Sequence, residues 1–379
     1  MLDERRRQKV ATRYEVKLLT LSPIHVGSGA EDLMPLAGDV VADGDGRLVV
    51  VDLEKVAPPW LTEKEFEDLI RGKRELRGIL GRMERQRLRK MAAYTLPEPE
   101  ERVKKIVQQA KTHGLRPYIP GSSVKGAIRT ALACAIYRGE NIQAGVNYVE
   151  KDGKYVDTVA DDLVDAEIFR PAGDKANYDV MRVLQIGDSG PARGLGLCQV
   201  AVYSILGSGL EPKEGFRLHV ETIPANLELT ASARVDRYLL DSAEARVALQ
   251  LDTRRTYLED FVSHANDFAE VLIDHEIGFF RKYAAPDVLQ FYEKLKKMLG
   301  QVRGSGRTCL LFLGWGPGWT AKTIGTALDP GMVNQVRNSF DRMGRRGFPV
   351  FPKSRRLVEK NEEPSVPLGW LAAVFQEAA

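Results

Sequence analysis

The chain has 379 residues, 44% of them hydrophobic and 28% charged, with 55 basic against 52 acidic residues and a net charge of +3. This composition belongs to a globular protein long enough for two domains, and no apolar run approaches the roughly 18 residues that cross a bilayer. Cys134, Cys198 and Cys309 are widely separated and lack CxxC spacing, which argues against a disulfide framework or a thiolate metal site.

The N-terminal MLDERRRQKV has no apolar stretch of signal-peptide length, so a cytoplasmic location is expected. Tyr14, Val16, Leu18 and Thr20 then alternate, predicting a strand that ends at Pro23 and runs into a loop at Gly27, Ser28 and Gly29. A second short strand is expected in RLVVVDLEKV. Residues 61–112 are highly charged and mostly helical in pattern, as an insertion on a sheet domain would be. Arg71 to Lys90 hold nine basic residues against two acidic ones, and Arg342 to Arg356 hold six against none. Such runs are ordinarily solvated faces, but two of them in a nearly neutral chain point toward a polyanionic partner.

After PYIPGSS, the residues Val124, Ala127, Ile128, Ala131, Leu132, Ala135 and Ile136 recur at helical spacing and predict a stripe packed on a sheet. Further strands are expected in MRVLQIGDS and LGLCQVAVYSIL, a linker at 207–215, and a hairpin pair in FRLHVETIPANLELTASARV. Two or three helices follow over 254–299, then a buried strand in RTCLLFLGWG. Helices and strands alternate without the regular spacing of a doubly wound sheet, which predicts two small α+β domains, 1–206 with the basic insertion and 207–379.

The chemistry is expected in the loops. Ser122 or Ser123 is placed to cap the 121–136 helix, yet its first turn carries Lys125, Arg129 follows four residues on, and no acid appears before Glu140. A cation there opposes the helix dipole, so the stretch reads either as an ordinary capped helix with solvated cations or as a phosphate site. Gly316 to Thr323, G-P-G-W-T-A-K-T, approaches a P-loop. However, Ala321 stands where glycine is required, Pro317 removes a donor, and Trp319 is bulky beside a triphosphate. Gly314, Gly316 and Gly318 beside Trp315, Trp319 and Lys322 suit a single-stranded RNA better, with close backbone approach, flat rings for bases and a cation for phosphate. The structural alternative makes the tryptophans core residues and the glycines a tight turn. His25 is either structural or an RNA contact. Asp161, Asp162 and Asp165 read as a solvated helix face, and the histidines lack metal-ligand spacing, so neither metal nor cofactor is expected.

Taken together, SPIHVGSG, YIPGSSVKGAIRTAL, GWGPGWTAKTIG and FPKSRRL followed by PLGW resemble the RAMP (repeat-associated mysterious protein) superfamily of CRISPR effector complexes, from about Ser22 to Trp370. Their order and spacing are most similar to the Csm-complex subunit of type III-A systems that caps the 3′ end of the guide RNA. The resemblance implies two ferredoxin-like, RNA-recognition-motif-like domains and a glycine-rich loop in the second. It also implies binding of the crRNA tail and a part in maturing intermediate crRNA for antiviral defence. The implied partners are crRNA, an adjacent backbone RAMP subunit and the host nucleases that trim the RNA. Related backbone subunits cut target RNA with an aspartate after the first strand. Asp32 and Asp39 lie in that neighbourhood without matching, so a non-catalytic subunit is expected and a ribonuclease using Asp32, Asp39 or His25 is the alternative. The expected RNA-binding residues are His25, Gly27, Ser28 and Gly29; Ser122, Ser123, Lys125 and Arg129; Gly314, Trp315, Gly316, Gly318, Trp319 and Lys322; and Arg345, Arg346, Arg355 and Arg356 as phosphate contacts.

Overall fold

Strand β1 (Ala11–Thr20) alternates as its sequence dictates, with Val16, Leu18 and Thr20 buried and the residues between them more exposed. The computed structural model describes residues 10–30, 33, 40–52, 61–71, 76–81, 83–101, 103–142, 146–151, 154–159, 161–173, 175–207, 209–339 and 350–378. Next come strands β2 (Val40–Ala42) and β3 (Arg47–Val51), helices α1 (Glu63–Ile70), α2 (Leu76–Leu80) and α3 (Arg85–Lys90), and strand β4 (Ala92–Pro97). Thr62 starts α1 in a reciprocal capping box with Glu65. These elements make a small α/β unit, in which β2, β3 and β4 pair antiparallel around Val41, Val49, Val51, Leu80, Leu88 and Met91. The insertion expected at 61–112 therefore includes the RLVVV strand, because the apolar run finds its cover in α2 and α3. Within the basic run, Arg85 and Arg89 are neutralised by Asp45 and Asp43 of the β2–β3 turn, each at 2.6 Å.

The chain re-enters the main body at β5 (Ile106–Val107) and continues through α4 (Gly121–Gly139), the hairpin β6 (Val146–Lys151) and β7 (Lys154–Val159), and α5 (Asp161–Phe169). Strands β8 (Leu184–Ile186), β9 (Gly196–Leu206), β10 (Gly209–Thr222) and β11 (Glu228–Asp236) follow. A helical block then comprises α6 (Arg237–Asp241), α7 (Ala243–Leu249), α8 (Arg255–Glu259), α9 (Phe261–Lys282) and α10 (Pro286–Val302). The last elements are β12 (Thr308–Phe312), α11 (Trp319–Lys322), α12 (Pro330–Ser339), β13 (Ser354–Lys360), β14 (Glu363–Pro367) and β15 (Trp370–Glu377).

Two five-stranded sheets carry the fold, ordered β12-β15-β1-β11-β8 and β14-β13-β9-β10-β5. Within the first, β15-β1-β11-β8 are antiparallel neighbours. Numbered along the chain these four strands stand in the order fourth, first, third, second, with α4 after the first and α9 after the third, which is the ferredoxin-like βαββαβ pattern. Val124, Ile128, Ala131, Leu132 and Ile136 of α4 are buried in the main core, as their spacing predicts.

Two expectations change here. FRLHVETIPANLELTASARV is not a hairpin: β10 belongs to the second sheet and β11 to the first. The switch occurs because Ile223 pairs with Ile24 and the Thr20 hydroxyl accepts from Leu227 at 2.9 Å, so β1 captures the chain at Pro224. The stretch expected as a linker at 207–215 is not one: residues 209–215 belong to β10, which pairs with β9 from Gly209 opposite Leu206 onward. Both large sheets take strands from either side of residue 207, and Ala201, Tyr203, Ile205 and Leu357 of the second sheet join the same core as Val16 and Phe375 of the first.

Candidate nucleic-acid interface

Three of the loops singled out in the sequence are bonded to one another. Leu21 donates to the Trp370 carbonyl at 2.9 Å, Gly369 to the Pro23 carbonyl at 2.9 Å, and Trp315 to the His25 carbonyl at 2.8 Å. The glycine-tryptophan loop thus rests on both the first loop and the PLGW segment. Its glycines permit that contact: a Cβ on Gly314 would lie 2.3 Å from the His25 carbonyl oxygen, and one on Gly316 would lie 2.0 Å from that of Leu368. Gly314 also has a φ of +81°. Gly318, by contrast, is exposed, with nothing within 4 Å of an added Cβ. This is not a triphosphate cradle, since the Trp315 amide is already bonded and α11 is a helix of only 4 residues.

His25 is 1% exposed, with Nδ1 2.7 Å from the Glu221 carbonyl and its ring set edge-on to Trp315, centroids 5.9 Å apart. The expected RNA contact through His25 is therefore corrected to a packing role, while Gly27, Ser28 and Gly29 beyond it are exposed. Sequence reasoning missed what lies behind this loop. The fully buried Glu221 carboxylate accepts from Tyr94 Oη at 2.6 Å and the Gln109 amide at 2.9 Å, and it pairs with Lys111 Nζ. Gln109 Oε1 in turn accepts from the Val26 amide at 2.9 Å. Burial lowers the pKa of Lys111, and the adjacent carboxylate opposes that shift; burial together with the same carboxylate pushes the Tyr94 hydroxyl up. No local pattern marks this network: β10 pairing with β5 brings Glu221 to Gln109 and Lys111, and Tyr94 reaches it from β4.

At the start of α4 the N-cap is Pro120, so Ser122 and Ser123 lie inside the first turn and do not cap it. The Gly121 amide donates instead to Asp188 Oδ1 at 2.8 Å, and a Cβ on Gly121 would lie 2.3 Å from the Ile186 carbonyl oxygen. Ser122 is exposed and Lys125 half-buried; burial lowers the Lys125 pKa, Asp179 opposes the shift and Arg129 adds to it. Arg129 is not a phosphate ligand here. It forms paired bonds to Asp179 (3.1 and 2.8 Å) and to Asp165 (2.8 and 3.0 Å), with its guanidinium 3.7 Å from the Phe169 ring centroid. Asp165 is thus an ion-pair residue and not part of a free acidic face; the side chains of Asp161 and Asp162 lie outside the described residues.

The two arginines of FPKSRRL part company on β13, where successive side chains leave from opposite faces. Arg355 is 11% exposed and bonded to both oxygens of buried Glu276 (2.9 and 2.7 Å), which corrects its expected phosphate contact to an internal ion pair. Arg356 lies over the Trp315 ring at 4.5 Å and donates to the Trp315 carbonyl at 3.0 Å. Desolvation lowers the Arg356 pKa, and desolvation followed by repulsion from Arg356 lowers that of Lys322. Among the described residues, no carboxylate pairs with Arg356, Lys322 or Lys125. Trp315 is half-buried, and Trp319 lies against Gly325 and Phe351. Arg345, Arg346, Asp32 and Asp39 fall outside the described residues, and among those described no cluster of three or more His, Cys, Asp or Glu residues could hold a metal ion.

His219 and His264 add a pH dependence. Burial lowers both pKa values, with Glu101 opposing the shift at His219 and Asp267 and Asp260 opposing it at His264. The unfolded chain therefore takes up protons first, near the ordinary value of about 6.5. Stability should be full above that pH and decline as the pH falls toward the depressed folded values. Urea midpoints at pH 7.5 and 5.5 check this, with His219→Gln expected to narrow the difference.

The antiparallel order and the two packed helices define a ferredoxin-like α+β protein. A family model described as the RAMP superfamily matches residues 17–321, and the chain belongs to that superfamily. No curated protein sequence matches it significantly. Among solved structures, a chain of the cryo-EM Csm–crRNA–target RNA ternary complex of a type III-A CRISPR–Cas system is similar in fold, with a TM-score of 0.66 and 24% identity over 96% of this chain and 100% of that one. Crystalline Csm5 from T. onnurineus is similar as well, with a TM-score of 0.63 and 22% identity over 94% of this chain and 99% of that one.

Proposed function

We propose that this protein is the RNA-binding subunit of a type III-A Csm effector complex, holding the 3′ region of the crRNA and contributing to maturation of intermediate crRNA without cutting it. The observation that carries the reading is the cluster of Arg356, Lys322 and Trp315: two desolvated cations that repel each other and pair with no carboxylate among the described residues, one of them, Arg356, lying over a half-exposed ring. Such a cluster is stabilised by an anion, and an RNA backbone supplies phosphate and base together. The fold similarity to Csm5 and to a chain of a Csm–crRNA–target RNA complex supports the choice of RNA and of assembly. The proposed partners are crRNA and an adjacent backbone RAMP subunit, with host nucleases doing the trimming. The proposed location is the cytoplasm; no described helix is long and apolar enough to cross a membrane.

Binding of crRNA as a function of salt tests the surface. Lys125→Ala and Lys322→Ala should each weaken binding and reduce the slope of log affinity against log salt by about 0.7, one phosphate contact on a single strand. Arg129→Ala and Arg355→Ala should lower the urea midpoint while leaving the slope unchanged, since their charges belong to Asp165, Asp179 and Glu276. Unchanged affinity and slope in both lysine variants would show that the surface is wrong. Sequencing of RNA that co-purifies from a native host should return repeat-spacer guides.

A further inference from the structure

Beside the cationic cluster the fold leaves a pocket of about 440 Å³ between the glycine-tryptophan loop, the 350–357 segment and α9. That volume falls within the range of about 300–1,000 Å³ typical of small-ligand sites. Trp319 and Phe351 form one wall, centroids 4.9 Å apart and planes tilted by 59°. Gly325 makes that wall possible: an added Cβ there would lie 2.3 Å from the six-membered ring of Trp319, so only glycine lets the indole lie down. Phe312 contributes a further aromatic surface, and Arg356 stands in the lining. Gly318 is in the lining too, and because an added Cβ there meets nothing, a chain can pass close to the backbone. Flat apolar walls with an uncompensated cation in the lining match a nucleotide, whose base is planar and whose phosphate is anionic.

We propose that this pocket takes a single unstacked base of the bound RNA, lodged against Trp319 and Phe351, with the phosphate of the same nucleotide at Arg356. The inference rests on the RNA-binding reading above and adds to it a fixed register: one position of the RNA is held by its base while its neighbours are held by their phosphates.

A hairpin RNA with a short single-stranded 3′ tail, carrying one abasic nucleotide at each tail position in turn, tests this with the full chain. One position should bind about five- to 150-fold more weakly than the rest, the loss expected for one stacked base. Phe351→Leu should abolish that difference between positions, whereas Lys322→Ala should lower affinity at every position and preserve it. If the unsubstituted protein binds the tail with equal affinity whichever base is missing, the pocket does not hold a base, although RNA binding stands. If it binds no RNA at all, both readings fail together.

Discussion

Glu221→Ala should destabilise the fold by roughly 3–5 kcal/mol, measured as a fall in urea unfolding free energy at constant m. The carboxylate is fully buried, and Lys111, whose side chain is 7% exposed, has it as its partner. Removing Glu221 leaves an ammonium desolvated, with Gln108 and the Tyr94 hydroxyl as neutral neighbours. It also frees the Gln109 amide, whose residue holds Val26 in the first loop. The double replacement Glu221→Leu with Lys111→Met should recover most of the loss, because a buried ion pair exchanged for apolar groups of similar volume is often neutral. A single substitution costing less than about 1 kcal/mol would mean that water reaches the pair in solution.

Gly316→Ala and Gly318→Ala should separate sharply although they lie two residues apart. At Gly316 the new methyl would sit 2.0 Å from the Leu368 carbonyl oxygen, and backbone there is held on either side by strand β14 and by Gly369 bonding to Pro23. Relief requires the loop to lift off PLGW, at a cost of about 1–3 kcal/mol or more. Crowding should also disturb the neighbouring Trp315 and the Arg356 bond to its carbonyl. RNA affinity and stability should therefore fall together. At Gly318 an added methyl meets nothing, so stability should stay within about 0.5 kcal/mol of the parent. Equal effects at the two sites would contradict the packing described for this loop.

Much of the secondary structure is legible in the sequence because periodicity records burial directly. The alternation in β1 and the stripe of α4 both become core faces, and the apolar run before Gly314 becomes β12. In the loops, the glycines read in sequence as room for a ligand backbone. For Gly314 and Gly316 the approaching backbone is the protein's own, at His25 and Leu368. A glycine pattern shows that something comes close without showing what.

Charge was legible as composition and illegible as availability. Arg129 and Arg355 sit in the motifs with the same standing as Lys125 and Arg356, yet each meets carboxylates distant in sequence: Asp165 and Asp179 lie 36 and 50 residues from Arg129, and Glu276 lies 79 from Arg355. Whether a cation is consumed internally or left for a phosphate depends on those long-range meetings, which no window of sequence contains. The same holds for the chain's passage from one sheet to the other at Pro224, decided by pairing with β1 some two hundred residues earlier. The sequence by itself determined the α+β class and the principal helix and strands, since burial period and turn chemistry are local. Only the tertiary structure decided which cations remain unpaired, why the glycines are needed, and that an aromatic pocket opens beside Arg356, because each depends on contacts between segments far apart in the chain.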